Sequence, residues 1–212
     1  MAQSEVNEKK RIIELVLGIS KDNSRVSTMV LSLQNARNSC GYHEDKPYTR
    51  LEFDLRGDGR RTNDEADIFN ALLNYLIVLE QVGTLFYKGR IIEALKGSVL
   101  SNNQRYAINE LRNALVHHGG LAICKKKSDG TKKGYKFIID VSDSNEIVKL
   151  ADKKWSGDYF DKSKETSTIV YAIPFIRLVE NIVAQLKENI DELVTKSTLS
   201  TEEIKTKFTI LK

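Results

Sequence analysis

Apolar residues recur every three to four positions along most of this chain, a spacing that predicts helices. A first helix is expected over Val6 to Ile19. A second, over Arg25 to Asn38, carries Val26, Met29, Val30 and Leu33 at helical spacing. Thr62-Asn63-Asp64-Glu65 has the form of a capping box and should open a long apolar helix that runs toward Val82 and, past a break at Gly83, on to Leu95. Ser101 or Asn102 can cap the next helix, and Gly119-Gly120 can end it in the left-handed conformation. The period then changes. Leu121 to Cys124 and Tyr135 to Val141 read as strands flanking Lys125 to Gly134, with Asp129-Gly130 in the middle, which predicts a β-hairpin over 121–141 with a basic tip. Ser142 to Lys164 has no clear period and reads as an irregular segment pinned by Trp155, Tyr159 and Phe160. Helical spacing resumes from Thr166 to about Val194, with Pro174 starting or kinking it, and Ser200-Thr201-Glu202-Glu203 caps a short final helix within 198–212. The short loop before Ser101 favours neighbouring antiparallel helices. The expected fold is therefore mainly α: one domain over 1–212, an antiparallel bundle of about five to six helices with one inserted hairpin.

Composition narrows the setting. With 212 residues, 41% of them hydrophobic, the chain can bury one good core. Ser4 to Arg11 is polar and charged rather than a signal-peptide pattern, and the longest apolar run reads as too short to span a bilayer. The expectation is a cytoplasmic protein that does not engage a membrane. Cys40 and Cys124 lie far apart without CxxC spacing, so neither a disulfide framework nor a zinc site is suggested. The net charge of +4 is modest, but residues 121–140 hold six of the 33 basic and only two of the 29 acidic side chains, which leaves the rest of the chain balanced. A polyanion such as RNA drawn to Lys125, Lys126, Lys127, Lys132 and Lys133 would arrive beside the helix that precedes them. Exposed lysines also discourage edge pairing of strands, so a solvated hairpin tip is the plainer alternative.

That helix carries the sharpest chemistry, in Arg112-Asn113-Ala114-Leu115-Val116-His117-His118. At about 100° per residue, with Arg112 at zero, Asn113 falls near 100° and His117 near 140°. Ala107, Ile108, Leu111, Ala114, Leu115 and His118 fall in the opposite sector and read as the core face. His117 thus shares the polar side with Arg112, and His118 is assigned to packing. A guanidinium can hold phosphate oxygens bidentately, and an imidazole can move protons near neutral pH. In an RNA-cutting role His117 would take the proton of a ribose 2′-hydroxyl or give one to the leaving 5′-oxygen. Arg112 would stabilise charge on the phosphorane, and Asn113 would orient the phosphate or the histidine. One imidazole cannot conveniently make both transfers at once, which favours a pair of chains about a twofold axis.

Arg112, Asn113 and His117 resemble the motif of the HEPN domains, whose nuclease members carry an arginine, usually a polar residue after it, and a histidine four to six residues on. Gly119 stands where some members have an aromatic residue. The resemblance implies an antiparallel helical bundle that dimerises so that two motifs meet. It also implies endonuclease action on RNA without a metal or other cofactor, with many members serving as toxins or in defence against phage; an inhibitor or antitoxin protein is then a further expected partner. A catalytically silent module of the same type, binding RNA, a nucleotide or a partner protein, is the competing reading. A plain interaction bundle is the third.

Other patterns carry less. Arg37-Asn38 with His43 loosely repeats the motif, but Gly41 falls between them and ends the helix. Asp54, Asp58, Gly59 and Glu65 have calcium-loop spacing, yet Arg56 occupies a ligand position and Arg60 and Arg61 add repulsion. Arg56-Gly57-Asp58 reads as a turn, and Cys40, His43 and Glu44 form an incomplete ligand set. Glu80, inside the apolar helix, reads as an interface carboxylate in preference to a buried partner for Arg112.

Overall fold

The computed structural model describes residues 3–43, 65–126, 130 and 132–211. Helix α1 (Gln3–Val16) buries Ile12, Ile13, Leu15 and Val16. The next three residues expected to be helical are instead a strand, β1 (Arg25–Ser27), and helix α2 spans Thr28–Cys40. Ser27 explains the difference: its backbone is extended, and its hydroxyl accepts the Val30 amide as the N-cap. At the other end Gly41 adopts φ 69° and closes the helix between Arg37 and His43, so no helical face presents both. The Thr62–Asp64 capping residues and the calcium-like spacing from Asp54 lie outside the described residues.

Helix α3 (Glu65–Phe86) does not break at Gly83 but runs through it. The chain turns instead at Lys88 and Gly89, both with positive φ, before the short helix α4 (Ile91–Ala94). Gly83 is needed for the return. A Cβ there would stand 2.8 Å from both the carbonyl carbon and oxygen of Arg90, backbone that cannot swing aside. Gly83→Ala should therefore cost about 1–3 kcal/mol by overpacking, despite alanine's better helix propensity, and a lowered denaturant midpoint would show it. By length and composition, Asp67–Phe86 is apolar enough to cross a membrane, although its unbroken apolar runs are short. The interrupting Asn74, Glu80 and Gln81 hide this in a search for unbroken apolar runs. In this fold the segment is the central core helix, packed by α2, α4 and two later helices, α5 (Asn102–His118) and α6 (Ala172–Glu188).

The expected hairpin is present and belongs to a larger sheet. Strands β2 (Ala122–Lys126) and β3 (Lys132–Asp140) pair antiparallel, with β4 (Val148–Lys149) and β5 (Thr168–Tyr171) completing the order β2-β3-β5-β4. β3 and β5 run parallel, Phe137 opposite Thr168 and Asp140 opposite Tyr171. Thr166 to Tyr171 is thus not the start of a helix. Its β-branched run Thr168-Ile169-Val170 suits a strand bonded on both sides, and the helix begins at Ala172 with Pro174 in its first turn. Trp155 does pin the irregular segment, buried against Gly134 and donating from Nε1 to the Asp158 carbonyl, whereas Phe160 is exposed.

After helix α7 (Ile190–Lys196), Ser200 and Glu203 form the expected capping box of helix α8 (Thr201–Phe208). The residues beyond form strand β6 (Thr209–Leu211), antiparallel to β1. The chain is mainly α, with eight helices and two small sheets among the described residues. The buried residues of the helices and of the four-stranded sheet make one cluster.

Within that cluster lies an ionic knot. Arg37 of α2 donates from Nε and Nη2 to the two carboxylate oxygens of Glu180 on α6, at 2.8 and 2.6 Å, and the Tyr75 hydroxyl of α3 donates to the same carboxylate at 2.8 Å. Burial pushes the Tyr75 hydroxyl far above the ordinary phenol range, so it remains a donor.

Candidate active site

Helix α5 is defined at both ends. Ser101 accepts the Gln104 amide while the Gln104 side chain accepts the Ser101 amide, and Gly119, at φ 61°, returns its amide to Ala114 and Leu115. Ala107, Ile108, Leu111, Ala114 and Leu115 are buried on the face the helical wheel assigns to the core. His118 is not: it is exposed, because the helix ends at this residue and its apolar stripe runs past the elements that cover it.

Arg112, Asn113 and His117 come together. Arg112 Nη1 lies 2.8 Å from His117 Nε2 and 3.3 Å from Asn113 Oδ1. A guanidinium only donates, so a hydrogen bond here needs the His117 tautomer whose Nε2 accepts. The opposite side of the guanidinium is held by Glu80 of α3. Nε donates to Glu80 Oε2 at 3.0 Å and Nη2 donates to Oε1. Glu80 is therefore the partner of Arg112, contrary to its reading as an interface carboxylate. The wheel of one helix could not show this, since the contact joins residues 32 apart. Arg112 is 16% exposed and Glu80 40%, so the pair sits at the surface of the groove between α3 and α5 rather than in the core.

This clasp has a directional effect. With Nε and Nη2 committed to a carboxylate, Arg112 presents Nη1 to His117 and to anything beside it. Glu80 and Arg112 also line a cleft of about 450 Å³ with Arg90, Glu93, Tyr106 and Asn109. Its volume falls in the range of sites for small ligands. The half-buried guanidinium and the exposed imidazole beside it can bind a phosphate oxygen and exchange a proton next to it.

The lysines are arranged differently from the expectation of a basic tip. Lys125, Lys126, Lys132 and Lys133 lie within the strands, Lys125 opposite Lys133 and Lys126 opposite Lys132, because the ladder extends further than the apolar residues alone suggest. Lys127 is outside the described residues. Lys125 is already paired, its Nζ 2.8 Å from Glu110 Oε2 on α5. Lys133 sits 5.2 Å from the centre of the Tyr135 ring; the bond to the Tyr135 side chain holds its ammonium above the ordinary lysine range. Neither Lys125 nor Lys133 lines the cleft that contains Arg112.

Cys40 is buried, and Glu44 lies outside the described residues; no group of three or more metal-ligating side chains occurs among the described residues. No family model matches the chain, and no curated protein or solved structure matches it at a significant level.

Proposed function

We propose that this protein is an endoribonuclease of the HEPN type, a helical bundle with antiparallel neighbours that acts as a symmetric homodimer and needs no metal. The observation that carries the reading is the surface contact between Arg112 Nη1 and His117 Nε2, backed by the Glu80 clasp. A substrate phosphate competes for Nη1. When Arg112 turns that donor to the phosphate, the Nε2 lone pair is freed to take the proton of the adjacent 2′-hydroxyl. The 2′-oxygen then bonds to phosphorus, the P–O5′ bond breaks, and the leaving oxygen takes a proton from a second ring in its imidazolium form, which is left as neutral imidazole. The products are a 2′,3′-cyclic phosphate and a free 5′-hydroxyl, so no co-reactant is consumed. A second copy of the chain supplies the second ring. Cytoplasmic action as a toxin or in phage defence, held in check by an inhibitor protein, fits such an enzyme.

One observation favours the silent-module reading: all three guanidinium nitrogens of Arg112 already have partners in Glu80, Asn113 and His117. Incubating the purified protein with mixed RNA in excess chelator separates the two. Cleavage by the unsubstituted protein and by His118→Ala, lost in His117→Ala and Arg112→Ala, supports the enzyme. Salt-sensitive RNA retention with intact RNA in every sample supports the silent module.

A further inference from the structure

Two clefts meet at Tyr106. The first contains Arg112 and Glu80; the second, of about 390 Å³, is lined by Asn103, Lys133, Tyr135, Trp155 and neighbouring residues of the sheet. Tyr106 is the residue common to both, 50% exposed, and its hydroxyl has no hydrogen-bond partner among the described residues. On α5 it falls near 120° from Arg112, between Asn113 and His117 in direction, and about 16 Å from His117 along the axis. A strand laid along that side of the helix passes from His117 over Asn113 to Tyr106.

The second cleft has the ingredients that recognise an unpaired nucleotide. Tyr135 is held flat against Phe137, with the rings 5° from parallel, and Lys133 stands over its face. Lys136, which also lines the cleft, is spent on the Asp161 and Ser163 carbonyls at 2.7 and 2.9 Å, and Lys125 on Glu110. Lys133 makes no ion pair among the described residues, so it is the cation offered to a phosphate here. An aromatic face stacks any base, but only a base already out of a duplex can reach it.

We propose that Tyr106, Lys133 and Tyr135 form a subsite for an unpaired nucleotide of single-stranded RNA, the base stacking on Tyr106 and the phosphate meeting Lys133. The proposal rests on Arg112 and His117 marking where the RNA strand is cut, and it commits the substrate to single strands.

The test uses the full chain carrying His117→Ala, so that RNA stays intact, and a fluorescein-labelled single-stranded oligoribonucleotide of mixed sequence read by anisotropy, beside the same RNA annealed to its complement. Adding Tyr106→Ala should weaken single-strand binding by about tenfold, within the range of one lost base stack, and Tyr106→Phe should stay within about twofold. Lys133→Gln should weaken binding and flatten its salt dependence. Duplex binding should be weaker and indifferent to Tyr106. In the cleaving protein, Tyr106→Ala should raise KM more than it lowers kcat. Unchanged single-strand affinity in Tyr106→Ala, or equal affinity for duplex, overturns the subsite even where chelator-resistant cleavage persists. Tyr106-dependent binding by a protein that never cleaves supports the subsite and removes the nuclease.

Discussion

His117→Ala should lower RNA cleavage by about 10²- to 10⁴-fold, the usual contribution of a positioned general acid or base. The loss will not come from unfolding. His117 is exposed on the last turn of α5, and its described contact is with Arg112 rather than with the core. Circular dichroism and the unfolding midpoint should match the unsubstituted protein. Arg112→Ala should cost about 10²- to 10³-fold by removing charge stabilisation at the phosphorane. It leaves Glu80 without a partner, but that carboxylate is 40% exposed and water can solvate it. Arg112→Lys should fare little better than alanine, because one ammonium cannot hold both oxygens of Glu80 and still reach His117. Chelator-resistant cleavage by His117→Ala at the unsubstituted rate would sink the assignment.

The largest effect on stability should follow Glu180→Ala. The Glu180 side chain is 6% exposed and the Arg37 side chain 20%, so removing the carboxylate takes both of these bonds from the guanidinium and strands the Tyr75 phenol inside the junction of α2, α3 and α6. Breaking a buried pair from one side costs about 3–5 kcal/mol, a large share of the stability of a domain this size. Tyr75→Phe deletes one donor and leaves the ion pair, so it should cost only about 0.5–1.5 kcal/mol. Urea titration of the two variants tests the order as well as the size. If Glu180→Ala unfolds at the same midpoint as Tyr75→Phe, the knot does not hold the helices as described.

Both sites bear on how far sequence reading reaches. The division of α6 from α7 was not legible, but most of the helices, the hairpin and both serine caps of α5 and α8 were, because each depends on residues within a few positions of one another: Ser101 with Gln104, Ser200 with Glu203, and the apolar stripe of α5. Arg112, Asn113 and His117 were legible for the same reason. What escaped depends on distant partners. Thr168 to Tyr171 reads as helix until β3 and β4 are found on either side of it, and Arg25 to Ser27 until β6 arrives. Glu80 and Glu180 are both lone acids inside apolar stretches; only the neighbouring helices show that each clasps an arginine. His118 was misplaced because a helical wheel has no ends.

The pairing of Arg25–Ser27 with Thr209–Leu211 has a consequence during synthesis. It ties positions separated by more than four-fifths of the 212-residue chain, and α1 finds much of its packing on α7 and α8. While a ribosome is still making the middle of the protein, the apolar side of α1 has no cover from that quarter. Closing so long a loop is slow, and exposed apolar surface in the interval invites aggregation or chaperone capture. The folded core, and any chemistry it positions, should therefore form after translation of the last helix rather than progressively behind the exit tunnel.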